Sequence, residues 1–140
     1  MQVTIASNAK QIERATKKRG KELSASVKKA LSITAQTGIN IIEDRTKDSV
    51  GYKGGTFKPY SEKYSVFRTK NNRGTKPNLE FKGHMLGSMT SRANKRQAEI
   101  FFTRAEEAKK AAMNNKSRPF FGFSDTEDKT LGQVFFRALK

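Results

Sequence analysis

Leu23 to Ile42 reads LSASVKKALSITAQTGINII, and within it Leu23, Val27, Ala30, Leu31, Thr34, Ile41 and Ile42 recur at intervals of three and four. That is the period of one face of an α-helix. The stretch around it, from Ala9 to about Asp48, has no proline and only the glycines at 20 and 38. It predicts one long N-terminal helix or two consecutive ones. Any break belongs at Gly20 or Gly38, since glycine costs about 1 kcal/mol relative to alanine inside a helix. Residues 10 to 22 are mostly charged, so residues 1–20 are expected to form a polar arm that is exposed or ordered by a neighbour.

Beyond this helix the texture changes. Residues 51–78, GYKGGTFKPYSEKYSVFRTKNNRGTKPN, are rich in glycine, proline and asparagine and read as a long basic, aromatic loop with a short helical or extended insert at Ser61 to Phe67. It carries Lys53, Lys58, Lys63, Arg68, Lys70, Arg73 and Lys76 against the single acid Glu62, interleaved with Tyr52, Phe57, Tyr60, Tyr64 and Phe67. Further on, Ala98, Ile100 and Phe102 alternate to one side of QAEIFFT, a strand pattern, and a turn at Asn94-Lys95 is expected to pair it with Met85 to Arg92 as a hairpin.

AEEAKKAAMNN at 105–115 has acids first and lysines later, which suits a short helix and its dipole. After RPFFGFS at 118–124, Ser124 and Glu127 have capping-box spacing, and Leu131, Val134, Phe135, Ala138 and Leu139 repeat at three and four. A final helix is expected from about Asp125. The fold class is therefore α+β: a long N-terminal helix, a β-hairpin or small antiparallel sheet, a short helix and a C-terminal helix, with a long basic loop.

The chain has 140 residues, 34% of them apolar, enough for one modest core, and a single domain over 1–140 is expected. It has no cysteine and one histidine, so a Cys/His zinc site, a cysteine nucleophile and a Ser/His/Asp triad each lack their parts. Twenty-nine Lys and Arg face thirteen Asp and Glu, a formal charge of +16. Such a surplus repels itself unless a polyanion, an acidic neighbour or an assembly spreads the field. Neither a spanning apolar run nor the apolar segment of a signal peptide is present, and a soluble, reducing compartment is expected, with no membrane partner.

No catalytic, metal or cofactor site is expected. The acids at Glu43/Asp44, Glu106/Glu107 and Asp125/Glu127/Asp128 fall on predicted helices, where they read as solvated faces or dipole partners. His84 has no second histidine to share a metal and reads as a structural or surface residue. GYKGG at 51–55 lacks the GxxxxGK[ST] pattern of a phosphate loop and reads as a flexible loop. Two candidate surfaces remain. Lys53, Lys58, Lys63, Arg68, Lys70 and Arg73 are candidate contacts to an acidic protein surface or a polyanion. Arg118, Pro119, Phe120, Phe121 and Phe123 form a candidate aromatic anchor, because three phenylalanines within four residues are costly in water, at roughly 1.5 to 3 kcal/mol each.

The order of these elements resembles that of the tailed-bacteriophage virion morphogenesis proteins, also called tail completion or neck proteins. In that family a Leu, a Gly and a Leu-x-x-Ser step precede a hairpin, matched here by Leu79, Gly83, Leu86 and, one residue early, Ser88. An Arg-Pro-(Ala/Phe)-Phe-(Leu/Phe)-Gly type motif precedes the C-terminal helix, matched by Arg118, Pro119, Phe120, Phe121, Gly122 and Phe123. The resemblance covers roughly residues 20–140. It departs at AEEAKKAAMNNKS, where relatives carry Tyr-Ala…His-Gln-x-Gly, and at Lys82, where Thr is common.

What the resemblance implies is a non-enzymatic virion component, assembled in the host cytoplasm and resident in the neck. It would form a homo-oligomeric ring of six or twelve copies that completes the tail and joins it to the head-side connector. Its partners would be other neck and tail proteins, with a passing contact to genomic DNA. The alternative from the residues alone is a small basic nucleic-acid-binding protein.

Overall fold

The computed structural model describes residues 2–6 and 20–139. It is mixed α+β, with strand β1 (Val3–Ala6), helix α1 (Gly20–Lys47), α2 (Glu62–Lys70), a single turn α3 (His84–Gly87), β2 (Met89–Ala93), β3 (Gln97–Phe102), α4 (Ala105–Ser117) and α5 (Asp125–Ala138). The three strands form one sheet in the order β1-β3-β2. Among the described residues no helix is long and apolar enough to cross a membrane.

Helix α1 begins at Gly20 and passes through Gly38 without a break. The part of the predicted helix from Ala9 to Arg19 lies outside the described residues. Gly38 is buried, and of the two readings offered by the sequence the unbroken helix is the one found over the described residues. Most of the predicted stripe is buried, with Val27, Ala30, Leu31, Thr34 and Ile42 fully so; Leu23 and Ile41 are half-buried, and Ala35 and Ile39 join the buried face. Thr34 keeps its place in the apolar stripe by donating its hydroxyl to the Ala30 carbonyl one turn back, at 2.8 Å.

Strand β1 falls within the stretch read as a polar arm. It pairs antiparallel with β3, Val3 opposite Ile100 and Ala6 opposite Gln97. Four residues give too short an alternation to announce a strand, and only the free edge of β3 reveals it. The hairpin is shorter than expected. Met85 to Gly87 are helical, so β2 starts at Met89, and the turn is held by Asn94 Oδ1, which accepts from the Arg96 and Gln97 amides at 2.7 and 2.9 Å. Along β3 burial alternates, with Ala98, Ile100 and Phe102 inside.

The chain resolves into two compact units. One comprises Gln2–Ile41, Thr90–Phe101 and Asp125–Lys140. Its buried side chains include Val27, Leu31, Ile39, Ile100, Leu131 and Phe135. Helix α5 carries Asp125, Glu127 and Asp128 in its first turn, and partial burial together with the two neighbouring acids raises the Asp128 carboxyl above the ordinary aspartate range.

The other unit comprises Ile42–Met89 and Phe102–Ser124 and holds both candidate surfaces. Its buried residues include Ile42, Phe57, Met85, Leu86, Phe102, Ala111, Phe120 and Phe121. Phe102 and Phe121 pack with ring centroids 5.1 Å apart, and Phe120 lies 6.1 Å from Phe121.

Candidate functional site

The segment Tyr60–Glu80 is predicted mostly as loop and contains a real helix. Ser61 caps α2 by accepting the Tyr64 amide at 3.2 Å, Glu62 sits at the positive end of the helix dipole, and Arg68 and Lys70 sit at its negative end. Tyr64, Phe67 and Arg68, spaced three and four apart, share one face of this helix. Tyr60 meets Tyr64 edge-on at 4.9 Å. Tyr64, Phe67 and Phe81 follow as a pile of near-parallel rings, with centroid steps of 6.0 and 5.6 Å and interplanar angles of 23° and 19°.

Arginines bind this pile to the loops around it. Arg68 is 2% exposed. Its Nε donates to the Gly74 carbonyl at 2.5 Å and its Nη2 to the Glu80 carbonyl at 3.1 Å, while the guanidinium lies 5.0 Å from the Tyr60 ring centroid, 5.8 Å from Tyr64 and 5.9 Å from Phe81. Arg118 does the same for the preceding loop, donating to the Lys58 and Pro59 carbonyls at 2.7 and 2.9 Å with Tyr60 4.8 Å away. A guanidinium presents several donors in one plane and also stacks on rings, which suits it to closing loops whose carbonyls have no ladder partner.

A third arginine holds the aromatic anchor. Arg45, in the last turn of α1, donates from Nη2 to the carbonyls of Phe120 and Gly122 at 2.6 and 3.0 Å. Against the same segment lies GYKGG, ordered as a tight turn: the Gly51 amide reaches the Gly55 carbonyl at 2.8 Å and the Tyr52 amide reaches the Pro119 carbonyl at 3.1 Å. A Cβ on Gly122 would stand 2.7 Å from the Tyr52 ring, so glycine is required there for close approach. Gly122→Ala is expected to lower stability by about 1–3 kcal/mol, seen as an earlier thermal unfolding transition. Adding Tyr52→Leu should recover part of that loss, because the obstruction is the ring.

Phe67, Tyr64, Phe81 and Tyr60 line an open cavity of about 1020 Å³ within this one unit. Lys58, Lys82, His84 and Lys110 contribute polar groups to its wall, and Leu79, Met85 and Asn114 complete it with Arg68 and Arg118. Leu79 adopts a left-handed backbone, φ 58°, which a leucine occupies only at a cost, and its amide donates to the Tyr60 hydroxyl at 3.0 Å. Burial raises the Tyr60 phenol above its usual range, opposed by that hydrogen bond and by Arg68.

Glu107 also lines the cavity, and it is 3% exposed. Lys110 Nζ donates to its Oε1 at 3.1 Å, and its Oε2 is buried with no hydrogen-bond partner. Both Glu106 and Glu107 sit in the first turn of α4 as dipole partners, but only Glu106 is solvated, since Glu107 is buried one position later on the helix.

Of the six predicted basic contacts, Lys53, Lys58, Lys63, Lys70 and Arg73 are exposed. Arg68 must be corrected: it is an internal clamp, 2% exposed, with Nε and Nη2 donating to backbone carbonyls. Arg73 sits 5.4 Å from the Phe81 centroid and Lys53 5.8 Å from that of Tyr52. In the anchor, Phe120 and Phe121 are buried, while Arg118, Pro119 and Phe123 are half-buried. Sequence reading passes over Arg45 and Phe81, and it weighs Glu107 only as an ordinary helix acid. Only Arg45 left a trace, next to Thr46 and three residues from Ile42 on the buried side of the α1 stripe.

No family model, curated protein or solved structure matches this chain. The site therefore has to be read from its own geometry. Among the described residues no group of three His, Cys, Asp or Glu side chains could hold a metal ion. What the arrangement offers is recognition: flat apolar rings, lysines at the rim, and one buried carboxylate oxygen lacking a donor.

Proposed function

We propose that this chain is a structural virion protein of the tailed-phage neck, a ring subunit that completes the tail and joins it to the head-side connector. The observation that carries this reading is the outer side of α2 and its flanking loops. There Val66 and Phe67 are 49% and 50% exposed and share a face with Lys63 and Lys70, while Lys58 and Arg73 are exposed on the flanking loops. Those four cations form no ion pair among the described residues. An apolar strip rimmed by unpaired cations is suited to burial against an acidic protein neighbour, and the surplus charge of the chain favours an assembly that supplies one.

The motif order around Leu79–Ser88 and Arg118–Phe123 supports the same reading by resemblance. Docking on protein is preferred to lining a DNA channel, because a lysine-lined wall holds DNA through counterion release and resists its passage. Quantitative mass spectrometry of purified phage particles tests the proposal. The chain is expected at an integral ring copy number, six or twelve per particle; its absence from intact particles would overturn the reading.

A further inference from the structure

The rings that line the cavity are already engaged with one another and with arginines. Phe67 lies between Tyr64 and Phe81, whose centroids are 6.0 and 5.6 Å away. The guanidinium of Arg73 lies over Phe81 at 5.4 Å, and those of Arg68 and Arg118 lie over Tyr60 at 5.0 and 4.8 Å. Single-stranded nucleic acid binds by laying bases on open aromatic faces. Here those faces are turned to partners within the chain, which leaves ring edges as the main surface a ligand meets. A ring edge carries the positive side of the aromatic quadrupole and so favours an anion.

The charged groups of the wall favour the same ligand. Lys58 and Lys82 line the cavity, are exposed, and form no ion pair among the described residues. The acid among the lining residues, Glu107, is 3% exposed and bonded to Lys110. Each free lysine stands close in the chain to a lining aromatic, Lys82 next to Phe81 and Lys58 two residues before Tyr60. Leu79 and Met85, both buried, add apolar surface to the same wall. Leu79 does so with its left-handed backbone, φ 58°, and strain of that kind gathers at binding sites. The complement is a chain in which carboxylates and apolar side chains alternate. A polypeptide supplies that pattern, whereas a phosphodiester strand has an anion at every step and its apolar parts in flat bases.

We propose that the cavity is a docking site for an acidic peptide segment of a partner protein, its carboxylates met by Lys58 and Lys82 and an apolar side chain seated against Phe67, Phe81 and Met85. The open volume of about 1020 Å³, at the upper end of small-ligand pockets, suits a few residues of extended chain. The assignment rests on the neck reading in taking the partner to be a protein, and it adds where one partner segment enters and what chemistry that segment carries. Its lysines are distinct from Lys63 and Lys70 on the outer face of α2, so the two surfaces can be tested apart.

Fluorescence anisotropy of labelled octapeptides with the full chain tests it, at about 0.15 M salt, where distant charges are screened. A peptide alternating Glu with Leu and Phe is expected to bind about 10-fold or more tighter than one alternating Glu with Ser, because an apolar side chain is buried as well. Lys58→Ala/Lys82→Ala, at exposed positions, should weaken the Glu/Leu/Phe peptide about 10-fold. Lys63→Ala/Lys70→Ala removes the same charge outside the cavity and should change that affinity less than about 2-fold. Equal affinity for the Glu/Ser peptide, an equal loss from the two lysine pairs, or no binding of the Glu/Leu/Phe peptide at millimolar concentration would each overturn the assignment. So would displacement of that peptide by deca-thymidylate at a lower concentration than by unlabelled peptide, which would make the cavity a nucleic-acid site. None of these results alters the copy number expected in phage particles, and absence of the chain from particles would leave peptide binding standing.

Discussion

Replacing Arg68 with alanine is expected to lower the unfolding free energy by about 2–4 kcal/mol, far more than removing any of the lysines around it. The side chain closes two loop carbonyls, Gly74 and Glu80, and fills the space between Tyr60, Tyr64 and Phe81. Without it both carbonyls lose their donor and three rings lose their packing partner. The relief of a buried charge offsets part of this loss and sets the upper end of the range.

Arg68→Lys should recover less than half, since an ammonium is a point charge that cannot reproduce the planar contact to two carbonyls and three rings. Lys63→Ala and Lys70→Ala change the net charge equally and touch no such partners, so their urea midpoints should stay near that of the parent chain. If Arg68→Ala unfolds at the same urea concentration as Lys70→Ala, Arg68 is a surface cation and its role as a clamp is wrong.

A still larger loss, about 3–5 kcal/mol, is expected for Phe120→Ala. Phe120 is fully buried, and its carbonyl is one of the two held by Arg45, so the ring and the backbone of the anchor are fixed from separate directions. Truncation leaves a void beside Phe121, which itself packs on Phe102. Against a typical total stability of about 5–15 kcal/mol, that removes a large share. Phe120→Leu keeps most of the volume and should lose well under half as much. Equilibrium urea unfolding followed by circular dichroism separates the three proteins; a midpoint for Phe120→Ala close to that of Phe120→Leu would show that the anchor does not depend on the ring.

Arg118 ties this anchor to the cavity. Arg118 leaves the RPFFGFS segment to clamp Lys58 and Pro59, while Gly122 lets Tyr52 close against the same segment. The anchor and the wall of the cavity thus belong to one connected set of contacts.

The elements with a repeating pattern were legible beforehand. The stripe from Val27 to Ile42, the alternation of Ala98, Ile100 and Phe102, and the spacing of Leu131 and Phe135 each repeat over enough residues for local sequence to determine both the element and its buried face. The three phenylalanines of 120–123 could not stay in water, and Phe120 and Phe121 are indeed buried, with Phe123 partly so. Strand β1 was not legible, because four residues become a strand only through the hydrogen bonds that β3 offers them.

The candidate site belongs mostly to tertiary structure. In sequence Arg45, Arg68 and Arg118 are three among twenty-nine cations, and nothing local tells a clamp from a solvated charge. That distinction depends on where loop carbonyls without ladder partners end up, which is fixed by residues tens of positions away: Arg45 meets Phe120 and Gly122, and Arg118 meets Lys58 and Pro59. Glu107 differs from Glu106 by one step around a helix, and only the packing of α4 decides which of the two is withdrawn from water. Sequence by itself determined the periodic elements and the surplus of positive charge, because both follow from composition and short-range spacing. Tertiary structure decided which charges turn inward, because burial and hydrogen-bond partners are properties of distant segments brought together.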